Sequence, residues 1–464
     1  MSVQSHNATA PTPAIAPGCE DIDLRRAAAA IAQRGMDPRV TALVPAFDAP
    51  FFQAGLAGYS DAAMRIIARR HGCPYCVTEA LLDRTLLAGG RGFDKADLGE
   101  LHDNVPGGEA DHPLAGQIMG SEPREMAVAA LKMIEQKKRS DKEYRLLAYG
   151  DAAPAMIPVR GAAGAAGGLD ATEGLGDTGD ACGVAEESCD PLDYEDGAAA
   201  GEGAGSELDG VRDGAGGDDT AGRFEVIDVN LACPVKKIAS KARGGHWLTE
   251  PAGAIRILEA VREMLPASVP CTVKLRRAFD DTPEMAANFD RIIAAAFDMG
   301  YAWATVHART VMQKYVGPSR WDLLRDIVKR HTKRPIFGSG DVWEAADIIR
   351  MMAYTGCSGV SVARGCIGNP WIFRQARDLL AGRPALAPTI AEQREVLHEH
   401  FRLSLAVTRR FRHGEEATSR MMRKFAIRFA AHHPQSDEVR RRFIAVSTAD
   451  AWRNVLDTYY AKET

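Results

Sequence analysis

The sequence predicts an α/β protein: a (β/α)8 TIM barrel followed by a small C-terminal all-helical domain, with an acidic, Gly/Ala-rich disordered insert inside the barrel. Three observations carry this. Short apolar runs alternate with amphipathic helices over residues 43–380. Eight such runs can be named once the insert is set aside. Beyond Pro370 the pattern turns to helices without strands, from about Ile390 to Tyr460.

Residues 1–40 read as an N-terminal extension, 41–380 as the barrel interrupted by 151–222, and 388–464 as the helical domain. The strand candidates are Phe51 to Leu56, Tyr75 to Glu79, Leu114 to Met119, Phe224 to Leu231, Cys271 to Leu275, Ala302 to His307, Pro335 to Gly338 and Gly359 to Ala363. Helices are expected at Ala62 to Arg70 and Glu122 to Lys138, and Met285, Phe289, Ile292, Ile293, Ala296 and Phe297 fall on one helical face. An open doubly wound sheet is the alternative, but no GxGxxG follows an early strand.

The chain has 464 residues, a length that suits one large domain and a smaller one. No apolar run reaches the ~18 residues of a membrane helix, and the first nineteen residues carry no basic region, so the sequence reads as soluble and cytoplasmic. Nine scattered cysteines suit reduced thiols better than a disulfide framework. The net charge of −5 is a sum of unlike parts. Residues 151–222 hold 17 Asp and Glu against Arg160 and Arg212, so the other 392 residues carry about +10. With almost no aromatic or β-branched residues that segment cannot offset its ordering entropy. It reads as a passive loop insertion or as an acidic arm competing for a basic surface. Residues 402–442 contain eleven Arg and Lys against four Asp and Glu, which suits either a phosphate-binding surface or a solvated helical face.

In a TIM barrel the chemistry sits at the C-terminal ends of the strands, and here nearly every strand delivers a polar group there. Strand one ends in GLAGYSD, strand three at Gln117, strand four at Asn230 and Cys233, strand five at Lys274 and Arg276, and strand six at His307 and Arg309. Strands seven and eight end in GSGD (Gly338 to Asp341) and ARG (Ala363 to Gly365). These last two turns make a phosphate site: backbone N–H groups approach closely where side chains are absent, and a guanidinium closes over the anion. Lys274, at the end of an apolar strand, is costly unless something anionic meets it, and the anionic reduced ring of a flavin meets that need; taken alone, Lys274 and His307 also read as structural residues. Cys233 leaves a buried strand just before Pro234, which turns the chain over the rim. It could serve as nucleophile or general acid; a metal role is disfavoured because no second Cys or His stands at ligand spacing. Cys73-Pro74-Tyr75-Cys76 has the letters of a glutaredoxin dithiol, but it lies between a helix and a strand in the reverse of that motif's order.

Taken in order, AGLAGYSDAAMR, GQIMGSEPREMA, DVNLACPVKK, VKLR, TVHART with Gln313, Tyr315 and Gly317, GSGDV and ARGCIGNPWIF resemble the tRNA-dihydrouridine synthases, flavin enzymes that reduce uridines in tRNA. The helical stretch with Gly414, Met422, Arg423 and Lys424 is similar to that family's RNA-binding domain. The resemblance implies FMN held by Gly55, Leu56, Ala57, Gln117, Lys274, His307, Ser339, Gly340, Asp341, Ala363 and Arg364, with Cys233 catalytic and Asn230, Arg276 and Arg309 toward flavin or uracil. It also implies NADPH as reductant, tRNA as partner, no metal, no membrane and a monomer. Gly55-Leu56, Ala308, Ser339 and Ala363 depart from the family's usual residues. Two other readings are an FMN barrel acting on dihydroorotate or a free pyrimidine, and an RNA-binding protein with a decayed flavin site.

Overall fold

The computed structural model describes residues 19–88, 108–135, 138–150, 224–234, 244–409 and 414–461. The acidic segment 151–222 lies outside them.

Nine parallel strands build the barrel wall: β1 (Phe51–Gln53), β2 (Cys76–Val77), β3 (Leu81–Leu82), β4 (Leu114–Met119), β5 (Val226–Leu231), β6 (Cys271–Arg276), β7 (Trp303–His307), β8 (Ile336–Ser339) and β9 (Gly359–Val362). Neighbours pair in sequence order from β4 to β9, and Phe51 opposite Val360 joins β9 to β1, which closes the ring. Both β2 and β3 pair with β4, through Cys76 opposite Leu114 and Leu81 opposite Ile118. They are the two parts of one barrel strand, so the ring has the expected eight positions. Between them Thr78 keeps the ladder together, its N–H donating to the Ala115 carbonyl at 3.0 Å and its Oγ1 accepting from Gln117 N at 3.0 Å.

Apart from the split of the expected Tyr75 to Glu79 strand, whose second part lies beyond it at Leu81–Leu82, the strands are bounded much as the apolar runs suggest, with one further difference. Strand one stops at Gln53 and not at Leu56, because residues 55–61 curl into a turn in which Ser60 Oγ accepts from Leu56 N at 2.8 Å. Helices α1 (Leu24–Arg34), α2 (Pro38–Thr41), α3 (Ala62–Arg70), α4 (Asp83–Ala88), α5 (Pro123–Glu135), α6 (Asp141–Tyr149), α7 (Pro251–Met264), α8 (Pro283–Asp298), α9 (Trp321–Arg330), α10 (Ala345–Thr355) and α11 (Trp371–Leu380) surround the wall. Helix α6, opened by a capping box of Ser140 and Glu143, has no counterpart among the expected elements. Helix α1 packs on α10 and α11, so the described part of the N-terminal extension forms part of the barrel's shell.

The barrel interior is layered. Val40, Val44 and Phe47, from α2 and the chain after it, plug the end at which the strands begin, packing on Phe52, Tyr75, Val77, Trp303 and Phe337. Phe47 stacks on Tyr75 with ring centroids 4.6 Å apart, an arrangement worth more than its area alone. This leaves the opposite end for ligand. After the barrel, α12 (Ile390–Arg409), α13 (Glu415–Phe429), α14 (Ser436–Ile444) and α15 (Ala449–Tyr459) form the strand-free helical domain. Its core includes Phe425, Val439, Phe443, Trp452 and Leu456, and Phe429 packs on Trp371 of α11 at 4.9 Å. Among the described residues no helix is long and apolar enough to cross a membrane, and no cluster of His, Cys, Asp or Glu could hold a metal ion.

Candidate active site

Above the aromatic floor lies a small pocket lined by Phe52, Gly55, Tyr75, Gln117, Asp228, Thr272, Lys274, Trp303, Thr305 and Ser361, among others. Its polar wall is a hydrogen-bond relay across adjacent strands. Asn230 Nδ2 donates to Gln117 Oε1 at 2.7 Å, and Gln117 Nε2 donates to Asp228 Oδ2 at 2.7 Å. Thr272 donates to the other Asp228 oxygen at 2.6 Å. Every amide orientation in this relay is thereby fixed. Burial pushes the Asp228 carboxyl above its ordinary range, against the pull of its two donors and of Lys274. Gly55 closes the relay from the side: a Cβ there would stand 2.2 Å from the Thr78 carbonyl oxygen and 3.2 Å from Gln117 Oε1. Only a glycine lets this backbone lie so close to the wall.

Lys274 lies beside Asn230 and Thr305 in the strand register. Among the described residues no hydrogen bond or ion pair holds its ammonium. Burial lowers its pKa, and the charge of Asp228 restores only part of the loss. A half-buried cation facing a pocket, with no hydrogen-bond partner among the described residues, is unfavourable without ligand and favourable with an electron-rich ligand in place.

The remaining expected residues gather in a second group, around His307. Arg309 N donates to His307 Nδ1 at 3.2 Å, so the neutral ring carries its proton on Nε2. Burial first, then the charges of Arg276, Arg309, Lys274 and Arg364, hold His307 well below the ordinary imidazole range. Gly340 adopts φ +106°, and a Cβ on it would lie 2.2 Å from Ser319 Oγ and 3.2 Å from His307 Cε1. The β8 and β9 turns meet where Gly365 backs onto the Val342 carbonyl oxygen, 2.2 Å from where its Cβ would be. Ser339 Oγ donates to the Ser361 carbonyl at 3.1 Å. The guanidinium of Arg364 lies 4.6 Å from the Trp343 ring and 4.9 Å from the Tyr315 ring. Among the described residues, Arg309 Nη1, Ser319 Oγ, Ser361 Oγ and Trp343 Nε1 are buried without a hydrogen-bond partner.

Three expected residues show specific geometry. The Asp341 carboxylate accepts from Arg309 Nη2 at 2.7 and 2.8 Å and from Ser319 N at 2.7 Å, so its side chain braces the turn. Arg276 donates to the carbonyls of Ala232, Thr310 and Lys314 at 3.1, 2.7 and 2.7 Å. It thus ties the segment bearing Cys233 to the loop after β7, and burial brings its pKa down to about 10. Cys233 is partly exposed, its carbonyl accepts from Gly245 N at 2.9 Å, and its thiol is an electrostatic neighbour of Lys274 and Arg276. Leu56 and Ala57 lie higher on the rim loop, Ala57 exposed.

Sequence reasoning did not single out Asp228, Thr272, Ser319 or Ser361. The signal for Asp228 was present, as a carboxylate in the middle of the apolar run VIDVNL. The Cys73 and Cys76 thiols, 3.8 Å apart, are 3% and 0% exposed and follow α3 directly, the helix-then-strand order expected for them.

A family model described as dihydrouridine synthase matches residues 219–463. The chain is 33% identical over 232 residues to a probable tRNA-dihydrouridine synthase of Mycobacterium leprae, covering 49% of this chain and 58% of that one. It is 32% identical over 240 residues to a probable tRNA-dihydrouridine synthase of Mycobacterium tuberculosis, covering 51% and 59%. To tRNA-dihydrouridine synthase B of Pseudomonas putida it is 31% identical over 228 residues, covering 49% and 64%. The matched stretch thus spans less than two thirds of the length of these relatives.

Proposed function

The chain belongs to the dihydrouridine synthase family, and from that premise we propose that it reduces the C5–C6 bond of uridines in tRNA. FMN is the proposed cofactor and NADPH the proposed reductant, in a cytoplasmic protein that works as a monomer.

The residues present fit FMN. The Lys274 ammonium, without a hydrogen-bond partner among the described residues, suits an electron-rich ring edge. The cations Arg309 and Arg364, the Gly340 turn and the partnerless polar atoms beside them suit its phosphate. Gly55, Gln117 and Asn230 would line the ring, and the Nε2 proton of His307 is available as a donor. When bound, FMN supplies a hydride to uracil C6.

The protein's own part is proton delivery and binding. The Cys233 thiol donates its proton to C5, and the thiolate left behind is stabilised by Lys274 and Arg276 beside it before solvent reprotonates it. Arg276 ties the Ala232 carbonyl, next to Cys233, to the loop after β7. A uridine must leave its stack to reach this depth, and the basic helices over residues 402–442 suit the phosphates around it. A free pyrimidine would need no such surface.

The placement of Cys233 beside the Lys274 cavity is the observation that carries the reading. Its test is Cys233→Ala: dihydrouridine formation in tRNA should fall by about 10^2 to 10^4, the range for a lost general acid, while FMN remains bound. A wild-type rate in that variant would remove the general-acid role.

A further inference from the structure

We propose that Lys424, on helix α13 of the C-terminal domain, is a positioning residue for the barrel's first rim loop and so couples the helical domain to flavin binding. This rests on the flavin reading above.

The rim loop, residues 55–61, has little with which to hold itself. Gly55, Ala57 and Gly58 bring almost no side chain, and Gly58 sits at φ +73°, where no neighbour would contact a Cβ. Its inner side is fixed by the barrel. Ser60 Oγ accepts from Leu56 N at 2.8 Å and donates to Leu56 O at 3.2 Å, and Arg65 Nη1 donates to the Ser60 carbonyl at 2.7 Å. Arg65 is itself locked by a fully buried ion pair with Asp111 at 2.8 Å.

The outer side is fixed by the other domain. Lys424 Nζ donates to the carbonyl of Gly58. The same ammonium lies 5.3 Å from the Tyr59 ring and 5.0 Å from the Phe425 ring, and those two rings meet edge to face at 5.6 Å. A cation bridging a loop carbonyl and two rings from opposite sides of the junction is a clamp with three points of contact. An ion pair of Arg70 in α3 with Glu399 in α12 holds the helices behind it. The clamped stretch is the one from which Gly55, Leu56 and Ala57 would face the flavin, so the ordering of that stretch is shared between domains. Without the clamp, flavin binding must itself order the loop, at the expense of affinity.

A basic residue on this domain has an obvious rival role, a phosphate contact to tRNA, and the two are separable. The apoprotein of the full chain is titrated with FMN by quenching of flavin fluorescence, and tRNA binding is measured across a salt series, for wild type, Lys424→Met and Lys424→Arg. Lys424→Met keeps the length of the stem and removes the charge. Its Kd for FMN should rise about threefold to tenfold, the scale of one partly exposed charged hydrogen bond. Its apoprotein melting temperature should stay within about 2 °C of wild type, its tRNA salt slope should be unchanged, and Lys424→Arg should restore FMN affinity. Unchanged FMN affinity in Lys424→Met overturns the inference. Combined with weaker tRNA binding and a salt slope lower by about one, that result assigns Lys424 to a phosphate. If wild type itself binds no FMN, the flavin reading falls and this one with it.

Discussion

Replacing Lys274 with Met should stabilise the empty protein and weaken the loaded one, an inversion that few structural residues would give. In the empty barrel the ammonium has no hydrogen-bond partner among the described residues, and burial outweighs the attraction of Asp228 in setting its pKa. Asp228 itself leans first on Thr272 and Gln117 and least on Lys274, so removing the lysine does not strand it. Met fills a similar volume with no charge to desolvate, and the expected gain is about 1 kcal/mol, on the low side of mutational costs for unpaired polar groups. With FMN the sign reverses. A charge-assisted hydrogen bond contributes about 1.5–3 kcal/mol, so Kd should rise roughly tenfold to hundredfold. At FMN a thousandfold over the wild-type Kd, ligand linkage adds about 4.1 kcal/mol, and the variant would retain only about 1.4 to 2.7 kcal/mol of it. Differential scanning calorimetry with and without FMN reads both effects, together with a flavin titration for Kd. A variant less stable than wild type without flavin, or one whose melting temperature rises as much as wild type with it, would refute the reasoning.

Two further outcomes follow from the geometry. Gly340→Ala should cost about 1–3 kcal/mol in urea unfolding and weaken FMN binding, because a Cβ at φ +106° meets Ser319 Oγ at 2.2 Å; a cost under about 0.5 kcal/mol would mean that the turn relaxes freely. Burial raises Asp83 to about 7, so its favourable contribution is complete below its unfolded pKa near 4 and is lost as pH rises through about 7. Asp83→Asn should therefore gain on wild type between pH 4 and 8, by up to ~4 kcal/mol before solvent relaxation reduces it, and parallel stability curves over that range would show the carboxyl is not titrating there.

Much of this was legible because barrel strands end where their apolar runs end, and the polar residues that follow fall on one rim. Gln117, Lys274, His307 and the two glycine turns could be named that way. What stayed hidden depends on partners distant in sequence. The second strand is split at Thr78, where the side-chain oxygen and not a backbone carbonyl accepts from Gln117 N, and no local pattern encodes that pairing. Asp341 reads as a ligand residue, yet its carboxylate braces Arg309 and Ser319. Arg276 reads as reaching for substrate, yet it gathers three carbonyls from two segments. Lys424 sits in a stretch that reads as RNA-binding, and only the fold brings it to Gly58.

The electrostatics of the rim bind these observations together. His307 is depressed by four cations at once, Arg276, Arg309, Lys274 and Arg364, and Arg276 is itself held down to about 10 by burial, with Arg309 and Arg364 adding to the effect. Against them stand Asp228, deep in the relay, and Asp341, committed to Arg309 and 3.7 Å from Arg364. An excess of positive charge that is this poorly hydrated destabilises the empty site and sharpens its preference for anions. The same excess keeps His307 neutral, so it offers one Nε2 proton without adding a fifth charge. It also lies beside the thiol of Cys233, where negative charge would develop in the proposed proton transfer. On the proposed reading, one distribution of charge serves three ends: holding an anionic cofactor, keeping the histidine neutral and easing proton release from the cysteine.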